Sequence, residues 1–237
     1  MAERTIFTHI PKVAGTSIMH QLVRANFATE EIKHFRGVPD LLRSRGEDYR
    51  ALVGHTPYGV GAFAGGDCRY FVMLRDPVRR ALSHYYFIRK PPSKDAAGPS
   101  NPDQKRTHQT TALADIFEVN RKRRYRLFTT WLVDNMQTRY VAGWPHYWRA
   151  PDSTTLLAAA KRNLEANYAA IGLQERFEES IDRIADAFGW QVGPAEGRHK
   201  ASPAFDPPDA ETMRVLEDNH KLDAELYDFA LTLFDKG

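Results

Sequence analysis

The stretch from Thr5 to Ser17, reading Thr-Ile-Phe-Thr-His-Ile-Pro-Lys-Val-Ala-Gly-Thr-Ser, constrains this chain more than any other. Ile6 and Phe7 sit in a short β-prone run that His9-Ile10-Pro11 ends. Ile18, Met19, Leu22 and Val23 then open a helical pattern, which predicts a helix from about Thr16 to Phe27. A strand, a tight turn and a helix N-terminus aim backbone N–H groups and the positive end of the helix dipole at one spot, where Lys12 adds a full charge. Gly15 allows a close backbone approach to a ligand. The pattern is that of a phosphate-binding loop. It differs from the nucleoside-triphosphate loop, because Lys12 precedes the only glycine of the turn. The same residues also fit an ordinary strand-to-helix turn with Thr16 or Ser17 as N-cap.

The 237 residues suffice for one α/β domain, expected to span 1–237. Hydrophobic residues at 42% and charged residues at 27% are ordinary for a soluble globular protein. No apolar run reaches the length of a membrane span, and the first strand begins too early to leave room for a signal peptide. A cytoplasmic location is therefore expected. Cys68 is the single cysteine, which excludes intramolecular disulfides and a cysteine-rich zinc site. A net charge of +3 suits an anionic ligand but not a protein that coats nucleic acid.

Further along, Ala51 to Gly54 reads as a short apolar strand, after a polar connection containing Gly37, Pro39 and Gly46. Tyr70 to Leu74 is the strongest buried-strand signal, and Asp76 and Pro77 start the next helix as N-cap and first residue. The composition from Pro91 to about Thr111 predicts a mobile surface insertion. Helices are expected at about Ala112 to Asn120, Tyr125 to Met136, Thr154 to Ala166 and Glu175 to Phe188, the last closed by Gly189. Tyr168 to Gly172 is a further strand, and one long amphipathic helix runs from Pro207. The basic run Arg121 to Arg124 reads as a solvated face or a dock for an acidic substrate; the aromatic loop Gly143 to Trp148 reads as a sugar platform or a core cover. Alternating strands and helices predict an α/β fold, a mainly parallel sheet flanked by helices, with ligands at the carboxyl ends of its strands.

At that edge Lys12 follows the first strand, His55 the second and Arg75 the third. Ser83, two turns into the helix after Arg75, can face the same crevice, so Arg75 and Ser83 form a second phosphate clamp. Two anion sites in one crevice suit a ligand with phosphates at both ends.

The segment from His9 to Ser17, together with Leu74-Arg75-Asp76-Pro77-Val78-Arg79-Arg80-Ala81-Leu82-Ser83-His84-Tyr85-Tyr86-Phe87, resembles the carbohydrate sulfotransferases, in the branch of the uronosyl 2-O-sulfotransferases and their bacterial relatives. Asn135 to Tyr140 and Gly172 to Ser180 are similar to that family as well. The resemblance implies a P-loop-like sulfotransferase fold and the donor 3′-phosphoadenosine 5′-phosphosulfate (PAPS), with no metal. It assigns Pro11, Lys12, Ala14, Gly15, Thr16 and Ser17 to the 5′-phosphosulfate loop and Arg75 and Ser83 to the 3′-phosphate. Lys12 is then the residue that stabilises charge on the leaving phosphate. Val53 to Tyr58 resembles the segment carrying the family's base, which makes His55 the base, with His9, His84 and His146 as rivals. The loop Arg198-His199-Lys200-Ala201-Ser202 is similar to one that closes on the 3′-phosphate, assigning Arg198 and Lys200 to the donor. Arg79 and Arg80 belong to the same segment or to an exposed helix face. The expected acceptor is a hydroxyl, of a saccharide or glycoconjugate. Two other classes fit parts of the pattern. A nucleoside-triphosphate kinase or hydrolase needs a metal-binding carboxylate, for which Asp76 is the only tempting residue. A non-catalytic module binding nucleotide or acidic polysaccharide needs no base.

Overall fold

The computed structural model describes residues 3–35, 37–43, 46–89, 135–144, 146–147, 152–195 and 208–236. Its five strands are β1 (Arg4–Thr8), β2 (Ile32–His34), β3 (Ala51–Gly54), β4 (Cys68–Leu74) and β5 (Tyr168–Leu173). They lie in the order β2-β3-β1-β4-β5, with every pair parallel. Parallel pairing needs crossovers that cover both faces of the sheet. The apolar runs of β1 and β3 are accordingly buried along their whole length. Thr8 sits beside Gly54 and Val72, and Leu74 beside Leu173. The residues after β3, β1, β4 and β5 thus leave the sheet along one edge, as the strand–helix alternation predicts.

The first helix, α1, begins at Gly15–Ile18, widens to a π turn at Met19–Val23 and returns to α at Arg24–Asn26. In the wide turn Gln21 offers its carbonyl to the Gly193 N–H at 2.8 Å. Asn26 grips the backbone N–H and carbonyl of Gln191, both at 2.8 Å. The expected polar connection before β3 contains β2 and a helix, α2 (Val38–Arg43). Three residues of edge strand, two of them Lys33 and His34, are too short and polar to give a period-2 signal.

The other described helices are α3 (Gly61–Ala64), α4 (Pro77–Arg89), α5 (Met136–Ala142), α6 (Ser153–Ala166), α7 (Phe177–Phe188), α8 (Ala210–Asn219) and α9 (Lys221–Lys236). Asp76 caps α4, accepting from the Arg79 N–H at 2.8 Å, and Gly189 closes α7 with φ 66°. Met136, expected at the end of a helix, begins one instead, because Asn135 has a left-handed backbone at φ 45°. The expected single C-terminal helix is broken at His220, whose φ of −117° leaves the helical region. The break lets one apolar stripe serve two surfaces. Leu216 packs with Ala81 and Tyr85 of α4, whereas Leu226, Ala230 and Phe234 join the main core. The insertion 91–111, the helix expected at 112–120, residues 125–134 of the helix expected at 125–136, and the basic run 121–124 lie outside the described residues. Among the described residues no helix is long and apolar enough to cross a membrane.

Helices α5 and α9 cap each other. The Asp223 carboxylate accepts from the Gln137 N–H at 3.2 Å, and from the Thr138 N–H and hydroxyl, both at 2.7 Å. In return the Asn135 side-chain oxygen accepts from the N–H groups of Leu222 at 2.9 Å and Asp223 at 3.1 Å. Orphan donors at both helix starts are satisfied in one buried contact. Arg80 is fully buried, which decides its position: it lies inside the fold, with Nη1 on the Met136 sulfur at 3.2 Å and the charge of Asp223 opposing what burial costs it. Asp223→Ala removes the acceptor of three buried donors, each costing about 1–3 kcal/mol when left unsatisfied. The substitution is therefore expected to lower unfolding stability in urea at pH 7 by about 3 kcal/mol or more, and a loss below about 1 kcal/mol contradicts the mutual-cap account.

Candidate active site at the carboxyl edge of the sheet

The turn after β1 is held in backbone conformations that side chains resist. Lys12 has φ 74° and Ala14 φ 60°, each costing about 1–2 kcal/mol. Such strain persists only where the surroundings impose it, and it clusters at ligand clamps. Pro11 is buried beneath the turn, and Lys12 and Ala14 are half-buried. Ala14, rather than Thr16 or Ser17, occupies the N-cap of α1, and no side chain caps that helix start. The N–H groups of Gly15, Thr16 and Ser17 therefore begin the helix as orphan donors of the kind that receive anions, with Thr16 itself exposed. Gly15 is required for a reason the sequence did not suggest. A Cβ there would meet the His9 ring at 1.8 Å, so its missing side chain makes room for His9.

His9 ends a stacked aromatic column that rises out of the core. Phe71 and Phe7 stack at 4.8 Å, Phe7 and His9 at 4.9 Å, and the His9 and His55 rings lie 4.1 Å apart at 37°. His55 Nδ1 is 2.7 Å from the His9 carbonyl oxygen. A carbonyl only accepts, so Nδ1 carries the hydrogen and the lone pair of the neutral ring resides on Nε2. His55 is exposed, yet the atoms behind its ring exclude water, and this desolvation lowers its pKa against the opposing pull of the His9 carbonyl. His9 is held further below the ordinary histidine value, by burial first and then by the neighbouring His55 and His34. Of the rival histidines, His84 is buried in α4 and His146 lies in the turn after α5.

Arg75 leaves β4 beside this turn. Its Nη1 donates to the Lys12 carbonyl at 3.1 Å, joining the second and first expected anion sites directly. The Lys12 ammonium lies 4.2 Å from the centre of the Phe87 ring. Ser83 is buried one helical turn before Phe87, on the face of α4 that Phe87 turns to Lys12. Three buried polar atoms at this edge have no protein hydrogen-bond partner among the described residues: Thr56 Oγ1, Arg75 Nε and Gln174 Oε1. Each follows the end of a strand, β3, β4 or β5, by one or two residues. Buried polar groups are rarely left unpaired, so their concentration along one edge marks it as a place for a polar ligand. Arg198 and Lys200 lie outside the described residues.

Other residues that the sequence singles out are engaged nearby. Asp76 is engaged as the α4 cap, and its backbone N–H meets Glu175 at 3.2 Å. Trp144 packs edge-on against Phe63 at 5.6 Å and Tyr147 against Tyr140 at 5.2 Å, so these two aromatics cover neighbouring side chains. Sequence reasoning gave Gln137 no role. It brackets the Arg75 backbone, and its only sequence signal was membership of the family-like stretch Asn135 to Tyr140.

The unfolded chain protonates His9 and His55 near pH 6.5, whereas the folded protein resists proton uptake at both. The unfolded state therefore binds more protons, and stability falls as pH drops below about 6.5. Histidine proton resonances followed by NMR are expected to titrate below that value for both rings; His9 titrating at or above it contradicts the desolvated column.

A family model described as "Sulfotransferase family" matches residues 2–230. No curated protein matches the chain. With nearly the whole sequence matched and an all-parallel α/β sheet beneath the site, this chain belongs to the sulfotransferase family.

Proposed function

We propose that the protein transfers a sulfuryl group from PAPS to a carbohydrate hydroxyl, in the manner of the uronosyl 2-O-sulfotransferase branch. The observation that carries this reading is the junction of Arg75 with the left-handed turn. One guanidinium nitrogen holds the Lys12 carbonyl, while the buried Nε, without a protein partner among the described residues, is a donor suited to a phosphate oxygen. The uncapped N–H groups at Gly15 to Ser17 fit a second anionic group.

In this proposal Pro11, Lys12, Ala14, Gly15, Thr16 and Ser17 form the cradle for the 5′ end, and Arg75 and Ser83 hold the 3′-phosphate, with Arg198 and Lys200 added from the late loop. PAPS supplies an activated sulfuryl group bonded to a phosphate leaving group. The protein's work is to position and to stabilise charge. Lys12 and the orphan N–H groups meet the charge that grows on the leaving phosphate. His55, with its lone pair on Nε2 and its neutral form favoured near pH 7, accepts the proton of the acceptor hydroxyl. The bond from Nδ1 to the His9 carbonyl keeps that tautomer and orients the ring. His9 is then the support of the base and not the base.

Transfer of labelled sulfate from PAPS to a panel of saccharides and small alcohols, with mass spectrometry of the product, tests the reading. Lys12→Ala is expected to lower turnover by at least ~10²-fold, and His55→Ala by about 10²–10⁴-fold with donor binding retained. Near-normal turnover in folded Lys12→Ala contradicts the role of Lys12. Loss in His9→Ala alone, with His55→Ala active, moves the base to His9. Tight binding of adenosine 3′,5′-bisphosphate with no sulfated product from the panel favours the non-catalytic module.

A further inference from the structure

We propose that Gln137 is a positioning residue for Arg75. Its carboxamide brackets the Arg75 backbone: Oε1 accepts from the Arg75 N–H at 2.9 Å, and Nε2 donates to the Arg75 carbonyl at 2.8 Å. Only this orientation of the amide makes both bonds. Gln137 is 1% exposed, so water offers no substitute for either.

Arg75 needs such a bracket because of where it stands. It lies one residue past the last paired position of β4 with β5, Leu74 beside Leu173, and two residues before α4 begins at Pro77. Neither the sheet nor the helix determines its backbone. Gln137 supplies a donor and an acceptor in the geometry of a missing strand neighbour. A guanidinium at the end of a long side chain keeps a fixed aim only if its Cα is fixed, and misplacement of a binding group by about 1 Å is felt strongly in function.

Gln137 is itself fixed from behind. It occupies the first turn of α5, whose N–H groups end on Asp223 of α9. At its other end α5 meets the segment that carries the base: the Tyr140 carbonyl accepts from the Tyr58 N–H at 2.8 Å, and the Tyr140 hydroxyl approaches the His55 carbonyl at 3.4 Å. One short helix therefore braces both the arginine and the histidine loop.

This role rests on the proposed reading of Arg75 as the 3′-phosphate ligand, and the test separates the two. Adenosine 3′,5′-bisphosphate and adenosine 5′-monophosphate are titrated by calorimetry into the full chain, Gln137→Met, Arg75→Ala and the double variant. The positioning role predicts that Gln137→Met weakens the bisphosphate by about tenfold while changing the monophosphate by less than about twofold. It also predicts that Gln137→Met has no further effect once Arg75 is alanine, since it acts through that side chain. Equal losses for both ligands, or losses that add in the double variant, overturn it. Unchanged bisphosphate affinity in Arg75→Ala overturns the reading of Arg75 itself, whatever Gln137→Met does. Should Gln137→Met fail to fold, Gln137→Glu is used, which keeps the shape and the acceptor but sets a carboxylate against the Arg75 carbonyl, and the same ratio is read. Failure of both variants to fold also overturns the proposal, by assigning Gln137 to the stability of the fold.

Discussion

Everything at the active edge depends on one short length of strained backbone. Lys12 and Ala14 hold left-handed conformations that side chains disfavour, and the surrounding contacts must impose them. The structure shows what does so. Arg75 pulls on the Lys12 carbonyl, and the His9 ring fills the space that only a glycine at position 15 leaves open. The helix behind begins at once, and no side chain caps its first N–H groups. A relaxed turn would satisfy its own donors. This one leaves the helix start without a side-chain cap, at a cost of order 1–2 kcal/mol per left-handed residue.

The same contacts set the chemistry. The His9 side chain packs against Gly15, its carbonyl receives the His55 Nδ1 hydrogen, and that bond fixes which nitrogen of His55 carries the lone pair. The column from Phe71 through Phe7 to the two histidines carries the core to the edge of the sheet, and desolvation there lowers the pKa of both rings. On the opposite side, α5 and α9 cap each other through Asn135 and Asp223, and this reciprocal contact steadies the helix that faces Arg75 and His55. The candidate site residues that follow three strands are thus tied together by side-chain-to-backbone bonds.

Much of this was legible in the residues. The apolar runs gave β1, β3, β4 and β5, their order implied the parallel sheet, and the polar residues following three strands marked the edge. What escaped was whatever depends on distant partners. The edge strand Ile32–His34 is too short to show a period, and the break at His220 follows from two surfaces competing for one apolar stripe. Asp223 caps a helix 85 residues away, and Gln137 brackets a residue 62 positions distant. No local pattern can show either. The part Gly15 plays toward the His9 ring is likewise visible only in the folded chain.

A structure with adenosine 3′,5′-bisphosphate bound tests the central claim most directly. The account predicts the 5′-phosphate on the N–H groups of Gly15 to Ser17 beside Lys12, with the 3′-phosphate against Arg75. A nucleotide bound in the reverse sense, or away from the carboxyl edge of the sheet, contradicts it.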